Sequence, residues 1–277
     1  MKFHLVKKAI IFSIILGSLS LADLAVDEGP GSSSFYEKEE KLSLILFSAP
    51  CVVQTSPSKT FPAKNVDHSD PRIFSNPTLQ TRLAADIVEI LNQKFPGDNS
   101  IEKIGKVYSW VKANFEKYRG AGKMVAKQSA QQIYKSRKLS GCNDWGLLQT
   151  SILRSLKFPV VFMNAANVTW AKEYRKNPSN PPGFSGHTFL EIFVRGKWIL
   201  VDSTTGQYIE NYDYNDPILH IHKKRGGYFV YQKGLDQWSM GVKSIEDNEE
   251  IMKDFALGYP LEKIIIQNKE IKKFVPF

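Results

Sequence analysis

Two β-type runs joined by only two residues constrain this chain more than any other feature. Residues 188–194 (Thr-Phe-Leu-Glu-Ile-Phe-Val) and 197–202 (Lys-Trp-Ile-Leu-Val-Asp) are apolar and rich in β-branched side chains, and Arg195-Gly196 between them suits a tight hairpin turn. If Val194 pairs with Lys197, then His187 falls opposite Thr204 and Phe189 opposite Asp202. His187 and Asp202 then share a face as diagonal neighbours, about 7 Å apart at the backbone and within side-chain reach. A three-residue loop would put them on opposite faces, because a one-residue slip inverts every side chain. The two-residue register also pairs Phe193 with Trp198, a favourable cross-strand contact.

Upstream, Ser140-Gly141-Cys142-Asn143-Asp144-Trp145-Gly146-Leu147-Leu148 places a cysteine at the start of an apolar helical pattern, 45 residues before His187. A helix N-terminus favours a thiolate over a thiol, so Cys142 is the candidate nucleophile, His187 the candidate base and Asp202 its orienting partner. Asp144, in the first turn of the same helix, is expected to bond backbone donors there. Its negative charge would raise the thiol pKa, which argues against a catalytic part.

These residues carry a resemblance. Gly-Cys-x-Asp opening a helix that ends Leu-Arg-Ser-Leu-Lys-Phe-Pro-Val, followed by Gly-His-Thr-Phe-Leu-Glu-Ile and Lys-Trp-Ile-Leu-Val-Asp-Ser, resembles the core of the transglutaminase-like superfamily over roughly residues 101–204. The resemblance implies a papain-like α+β fold, with a helical lobe carrying the nucleophile against an antiparallel sheet. It also implies a Cys142–His187–Asp202 triad acting through a thioester. The superfamily holds transglutaminases, proteases, peptide deglycosylases and inactive relatives, so it implies a mechanism more strongly than a substrate.

The rest of the chain sets the organisation. Lys2, Lys7 and Lys8 precede an apolar run at 9–16, and Ser20-Leu21-Ala22 supplies the small residues of a cleavage site, so residues 1–22 read as an export signal. That run is too short for a spanning helix, and no second stretch is long enough, so the mature chain is expected to lack a transmembrane segment. Removing those three lysines and no acid lowers the net charge from +9 to +6. A basic exported chain would be drawn to anionic cell-envelope polymers or lipids, and its scattered charges do not form a nucleic-acid surface. Residues 23–77 are expected as an extension, 78–215 as the catalytic core and 216–277 as a C-terminal extension packed on it. A Cys51–Cys142 disulfide is the one bridge that two cysteines allow, and it would block the nucleophile.

An acyl-transfer site needs a second donor, beside the Cys142 backbone N–H, for the developing oxyanion. Gln131 and Gln132 are candidates, as a glutamine serves in papain-like sites. Trp110 is another, as transglutaminases use an upstream tryptophan, although its helical spacing favours packing. Residues 167–184 form a polar, proline-rich excursion the size of a binding loop, whose Trp170 and Tyr174 are candidate substrate contacts, with packing the alternative. His220 and His222 alternate as if on one strand face. With no further ligand nearby in sequence, a surface strand is expected there, with no metal and no cofactor. The expected activity is acyl transfer on amide bonds of a protein or peptide substrate, by hydrolysis or transamidation. The alternative is an inactive binding or assembly module at the cell envelope.

Overall fold

The computed structural model describes residues 66–118 and 123–274, within a unit spanning Gln54–Phe277. The export signal, the stretch around Cys51 and a strand expected near 42–53 lie outside the described residues. Before Cys142 come helices α1 (Ala85–Lys94), α2 (Ile101–Asn114) and α3 (Ala130–Ser136), and two short parallel strands, β1 (Glu116–Lys117) and β2 (Lys138–Leu139). Helix α4 (Cys142–Ser155) leads to β3 (Val160–Asn167), α5 (Val168–Lys176), β4 (Gly186–Val194) and β5 (Lys197–Val201). Strands β6 (Gln207–Ile209), β7 (Ile218–Leu219) and β8 (Tyr228–Gly234), helix α6 (Ile245–Gly258) and strand β9 (Lys272–Lys273) complete the order.

Strands β3 to β9 form one antiparallel sheet in the order β7-β8-β3-β4-β5-β6-β9. Packed against the helices, it gives the expected α+β fold. Residues 216–277 do more than pack on the core, because they supply three of the seven sheet strands. The β4–β5 register is the one a two-residue turn dictates: Val194 pairs with Lys197 and Phe193 with Trp198. Arg195 and Gly196 both have positive φ, 51° and 80°, the backbone twist that lets two residues close a hairpin.

Alternation along β3, β4 and β5 divides the sheet between two cores. Val160, Phe162, Leu190, Ile192, Ile199 and Val201 face the helices, where they meet Leu91, Ile104, Val111, Leu148 and Ile152. Val161, Met163, Phe189, Trp198 and Leu200 point the other way, onto Phe74, Ile221 and Val230. Each fully buried side chain of this size contributes about 1.5–3 kcal/mol of transfer free energy, which fixes the helices on one face. Helix α2 starts where the sequence offers a cap, Ser100 accepting from the Lys103 N–H. On α1, Ile87 and Leu91 are buried but Ile90 is 52% exposed, so its apolar face is narrower than the sequence pattern suggests.

Residues 66–77 drive Phe74 into the second core, with His68 buried against Phe74 and Trp198. Beneath them, fully buried Glu191 accepts from Lys233 Nζ, from Tyr212 Oη at 2.9 Å and from His68 Nε2 at 2.8 Å. Despite burial, Lys233 and His68 hold the Glu191 carboxyl below its usual range. No helix among the described residues is long and apolar enough to cross a membrane.

Candidate active site

Helix α4 positions the thiol. It is buried along nearly its whole length, from Asn143 to Arg154, so its direction is set by packing on both sides. Close approach to β4 requires Gly146, where an added Cβ would stand 2.5 Å from Thr188 Cγ2 and 3.2 Å from Phe162 Cε2. Gly141 is extended, and a Cβ there would meet nothing within 4 Å, so the space before the helix is open. Asp144 accepts from the Ser140 backbone N–H and hydroxyl, both at 2.7 Å, and thus ties down the turn that delivers Cys142. Cys142 itself is a half-buried free thiol, 3.6 Å from Asn143 Oδ1.

The hairpin brings the other two groups together. His187, at the start of β4, bonds Asp202 through Nε2 at 3.1 Å to Oδ1. Asp202 directly follows β5 and is fully buried, and the same Oδ1 accepts the backbone N–H groups of Thr204 and Thr205 at 2.8 and 3.2 Å. With Nε2 engaged, the imidazole has Nδ1 left for a thiol, and His187 and Cys142 each shift the other's ionisation. The ring is held edge-on to Phe189, centroids 4.8 Å apart, and tilted against Tyr228 at 5.7 Å.

Electrostatics point one way across the three groups. Burial pushes the Cys142 thiol pKa up, but the neighbouring His187 imidazole and the Thr188 backbone N–H bring it below the usual thiol value. Burial works against the imidazolium too, yet Asp202 and Cys142 together hold His187 well above the ordinary histidine range. Asp202, despite complete burial, is kept ionised by hydrogen bonds from His187 and from His222. Thiolate, imidazolium and carboxylate are therefore the favoured charge states.

His222 is the residue that sequence reasoning missed. It does not sit on a surface strand beside His220. Strand β7 ends at Leu219, His220 is buried and bonds Asp216 at 2.9 Å, and His222 turns back to donate from Nε2 to Asp202 Oδ2 at 2.6 Å. His187, Asp202 and His222 form a group whose ligand atoms lie within 4.8 Å of one another, a spacing that would also admit a metal ion. Each short contact within it is equally that of an N–H donating to a carboxylate oxygen.

The remaining sequence candidates stand elsewhere. Gln132 closes a capping box at the start of α3: its Oε1 accepts from the Ser129 N–H at 2.8 Å, and Ser129 Oγ accepts from the Gln132 N–H. Gln131 is half-buried on that helix. Trp110 packs in an aromatic cluster with Phe95, Phe115 and Tyr134 at centroid distances of 5.6–6.2 Å, as its helical spacing favours. Trp170 and Tyr174 stand on a helix and not on an open loop, in the packing alternative. Residues Val168–Lys176 are helical, and the two rings stack at 5.2 Å and are buried among Ala166, Phe229 and Met252.

The model of the transglutaminase-like superfamily matches residues 89–203, which span Cys142, His187 and Asp202. No curated protein matches the chain. Among solved structures, it is similar to a proposed cysteine protease from Cytophaga hutchinsonii, with 20% identity and a TM-score of 0.43. That match covers 66% of this chain and 53% of the other, so the chain spans about half the length of that protein.

Proposed function

We propose, from the match of residues 89–203 to the transglutaminase-like superfamily, that this chain is a thiol enzyme that transfers the acyl group of an amide through Cys142. The observation that carries the reading is the His187 Nε2 bond to Asp202 Oδ1 at 3.1 Å, which leaves Nδ1 for a thiol at the positive end of α4. In the reaction, Cys142 sulfur bonds to the carbonyl carbon and the carbonyl π pair moves onto oxygen. The Cys142 backbone N–H, an unpaired donor of the first helical turn, is placed to receive that oxyanion. As the C–N bond breaks, His187 Nδ1–H passes its proton to the leaving amine, and a thioester remains. Water or a second amine then attacks the thioester, giving up a proton to His187 and releasing Cys142.

Peptides or cell-envelope amides are the proposed substrates, reached after export directed by residues 1–22. Intact-mass measurement of protein incubated with a panel of peptide amides tests the reading. An acyl adduct is expected on the wild type and none on Cys142→Ala. Faster release by water alone would identify a hydrolase, and faster release by added primary amine a transamidase. No adduct and no turnover across the panel, with a Cys142 that alkylates like an ordinary thiol, would refute it.

A further inference from the structure

Asp202 is shared between two imidazoles, and the two carboxylate oxygens are used unequally. Oδ1 takes His187 Nε2 and the N–H groups of Thr204 and Thr205, whereas the partner of Oδ2 is His222 Nε2 at 2.6 Å. The rings of His187 and His222 are perpendicular, 89° apart with centroids at 6.3 Å, so they approach the carboxylate along different directions. A buried carboxylate turns easily about its last side-chain bond unless both oxygens are held.

His222 is itself held by unusual means. Its backbone is left-handed, φ 54° and ψ 45°, a conformation uncommon for a residue with a Cβ, although histidine adopts it more readily than most. Its ring packs tilted against Phe189 at 6.4 Å and near-perpendicular to Tyr228 at 6.1 Å, the two rings that also flank His187. Its side chain is 14% exposed. Nearby His220 shows that the segment does not itself require this posture, since it bonds Asp216 and accepts the Gln267 N–H at 3.1 Å.

We propose that His222 is a positioning residue, its Nε2–H fixing Asp202 so that Oδ1 faces His187 and the imidazolium partner of Cys142 is kept in place. The inference deepens the thiol-enzyme reading and rests on it. Without the donor, Oδ2 is left unpaired in a fully buried site. The carboxylate must then rotate toward another partner or bind a proton. Both outcomes weaken its hold on the His187 imidazolium, and both therefore raise the thiol pKa.

Alkylation of Cys142 by iodoacetamide as a function of pH reads this without any substrate. In His222→Leu the labelling rate at pH 6 is expected to fall at least fivefold and the titration midpoint to move upward. His222→Gln, which keeps a donor that does not titrate, should restore the wild-type curve to within twofold, and His220→Leu should leave it in place. A His222→Leu curve that superposes on the wild type or moves downward overturns the inference, as does labelling of the wild type that EDTA accelerates, because the cluster would then hold a cation. Nitrogen-15 NMR of histidine-labelled wild type decides the matter if the leucine variant does not fold. A strongly downfield Nε2 proton from His222, lost in His222→Gln, supports the inference, and its absence overturns it. A wild-type thiol that titrates near the ~8.5 of free cysteine would instead sink the enzyme reading, and the NMR result would still test His222.

Discussion

Replacing Arg154 with methionine should separate what holds α4 in place from what α4 does. Arg154 is 1% exposed and donates to the carbonyls of Phe74 at 2.9 Å, Val160 at 2.6 Å and Leu235 at 2.8 Å, joining α4 to three other segments. Methionine matches much of its volume but leaves three buried acceptors unpaired, at about 2 kcal/mol each, or roughly 6 kcal/mol in all. The loss is partly offset, because burial has brought the guanidinium pKa from 12.5 down to about 10. That net shift is on the order of 3 kcal/mol of cost, which the substitution relieves. The bonds win, and the unfolding free energy in urea should fall by about 3 kcal/mol. For a domain of this size the melting temperature should drop by roughly 6–12 °C. Below its melting temperature the variant should alkylate at Cys142 as the wild type does, since Arg154 lies at the far end of the helix. A loss below about 1 kcal/mol would mean that desolvation had cancelled the bonds, and the assignment of Arg154 as a net stabiliser would be refuted.

Other perturbations address the site and the sheet beneath it. Because the Cys142 pKa lies below its ordinary 9.0 and that of His187 well above 6.5, the reactive ion pair should fill the interval between them. Activity should fall as acid protonates the thiolate, and again as base removes the imidazolium proton, in a turnover profile against pH. Asp202→Asn should weaken the hold on the His187 imidazolium, raise the thiol pKa and slow alkylation at pH 6; an unshifted titration would count against any coupling among the three groups. In Gly146→Ala the gain in helix propensity, about 1 kcal/mol, competes with a Cβ only 2.5 Å from Thr188 Cγ2. Overpacking typically costs about 1–3 kcal/mol, so chemical denaturation should show a net loss of up to about 2 kcal/mol, with slower turnover because Thr188 adjoins His187. Lys233→Met strips fully buried Glu191 of its ammonium partner, and about 3–5 kcal/mol of stability should go with it; a neutral result by urea titration would show that His68 and Tyr212 suffice.

What could be read from the sequence was what is decided locally. A two-residue turn, an alternating pattern and an aromatic cross-strand pair fix the hairpin register within fifteen residues, so the diagonal placement of His187 and Asp202 needs no tertiary information. The helix after Cys142 is similarly self-announcing. Local signals were also present for the other site candidates. Ser129-x-x-Gln132 is a capping-box pattern, and it explains why that glutamine's side chain bonds at a helix end. Trp170 and Tyr174 are spaced i,i+4, which marks one face of a helix as readily as it marks a loop.

His222 belongs to a different category. Nothing within several residues of it predicts the left-handed backbone found there, or the ring's place beside Phe189, Tyr228 and the carboxylate of Asp202. Its spacing to His220 suggests a strand face, but Leu219 closes the strand and the two histidines part, one to Asp216 and the other twenty residues back to Asp202. The hairpin that carries His187 and Asp202 can be deduced from its own residues, whereas the imidazole that meets the carboxylate's second oxygen arrives from a segment beyond residues 89–203. Strands β7 and β8 thus do more than complete the sheet: pairing Leu219 with Tyr228, they frame the turn that carries His222 to Asp202. A chain cut after residue 215 would keep Cys142, His187 and Asp202 but lose His222, and with it the sole hydrogen-bond donor to Oδ2 among the described residues.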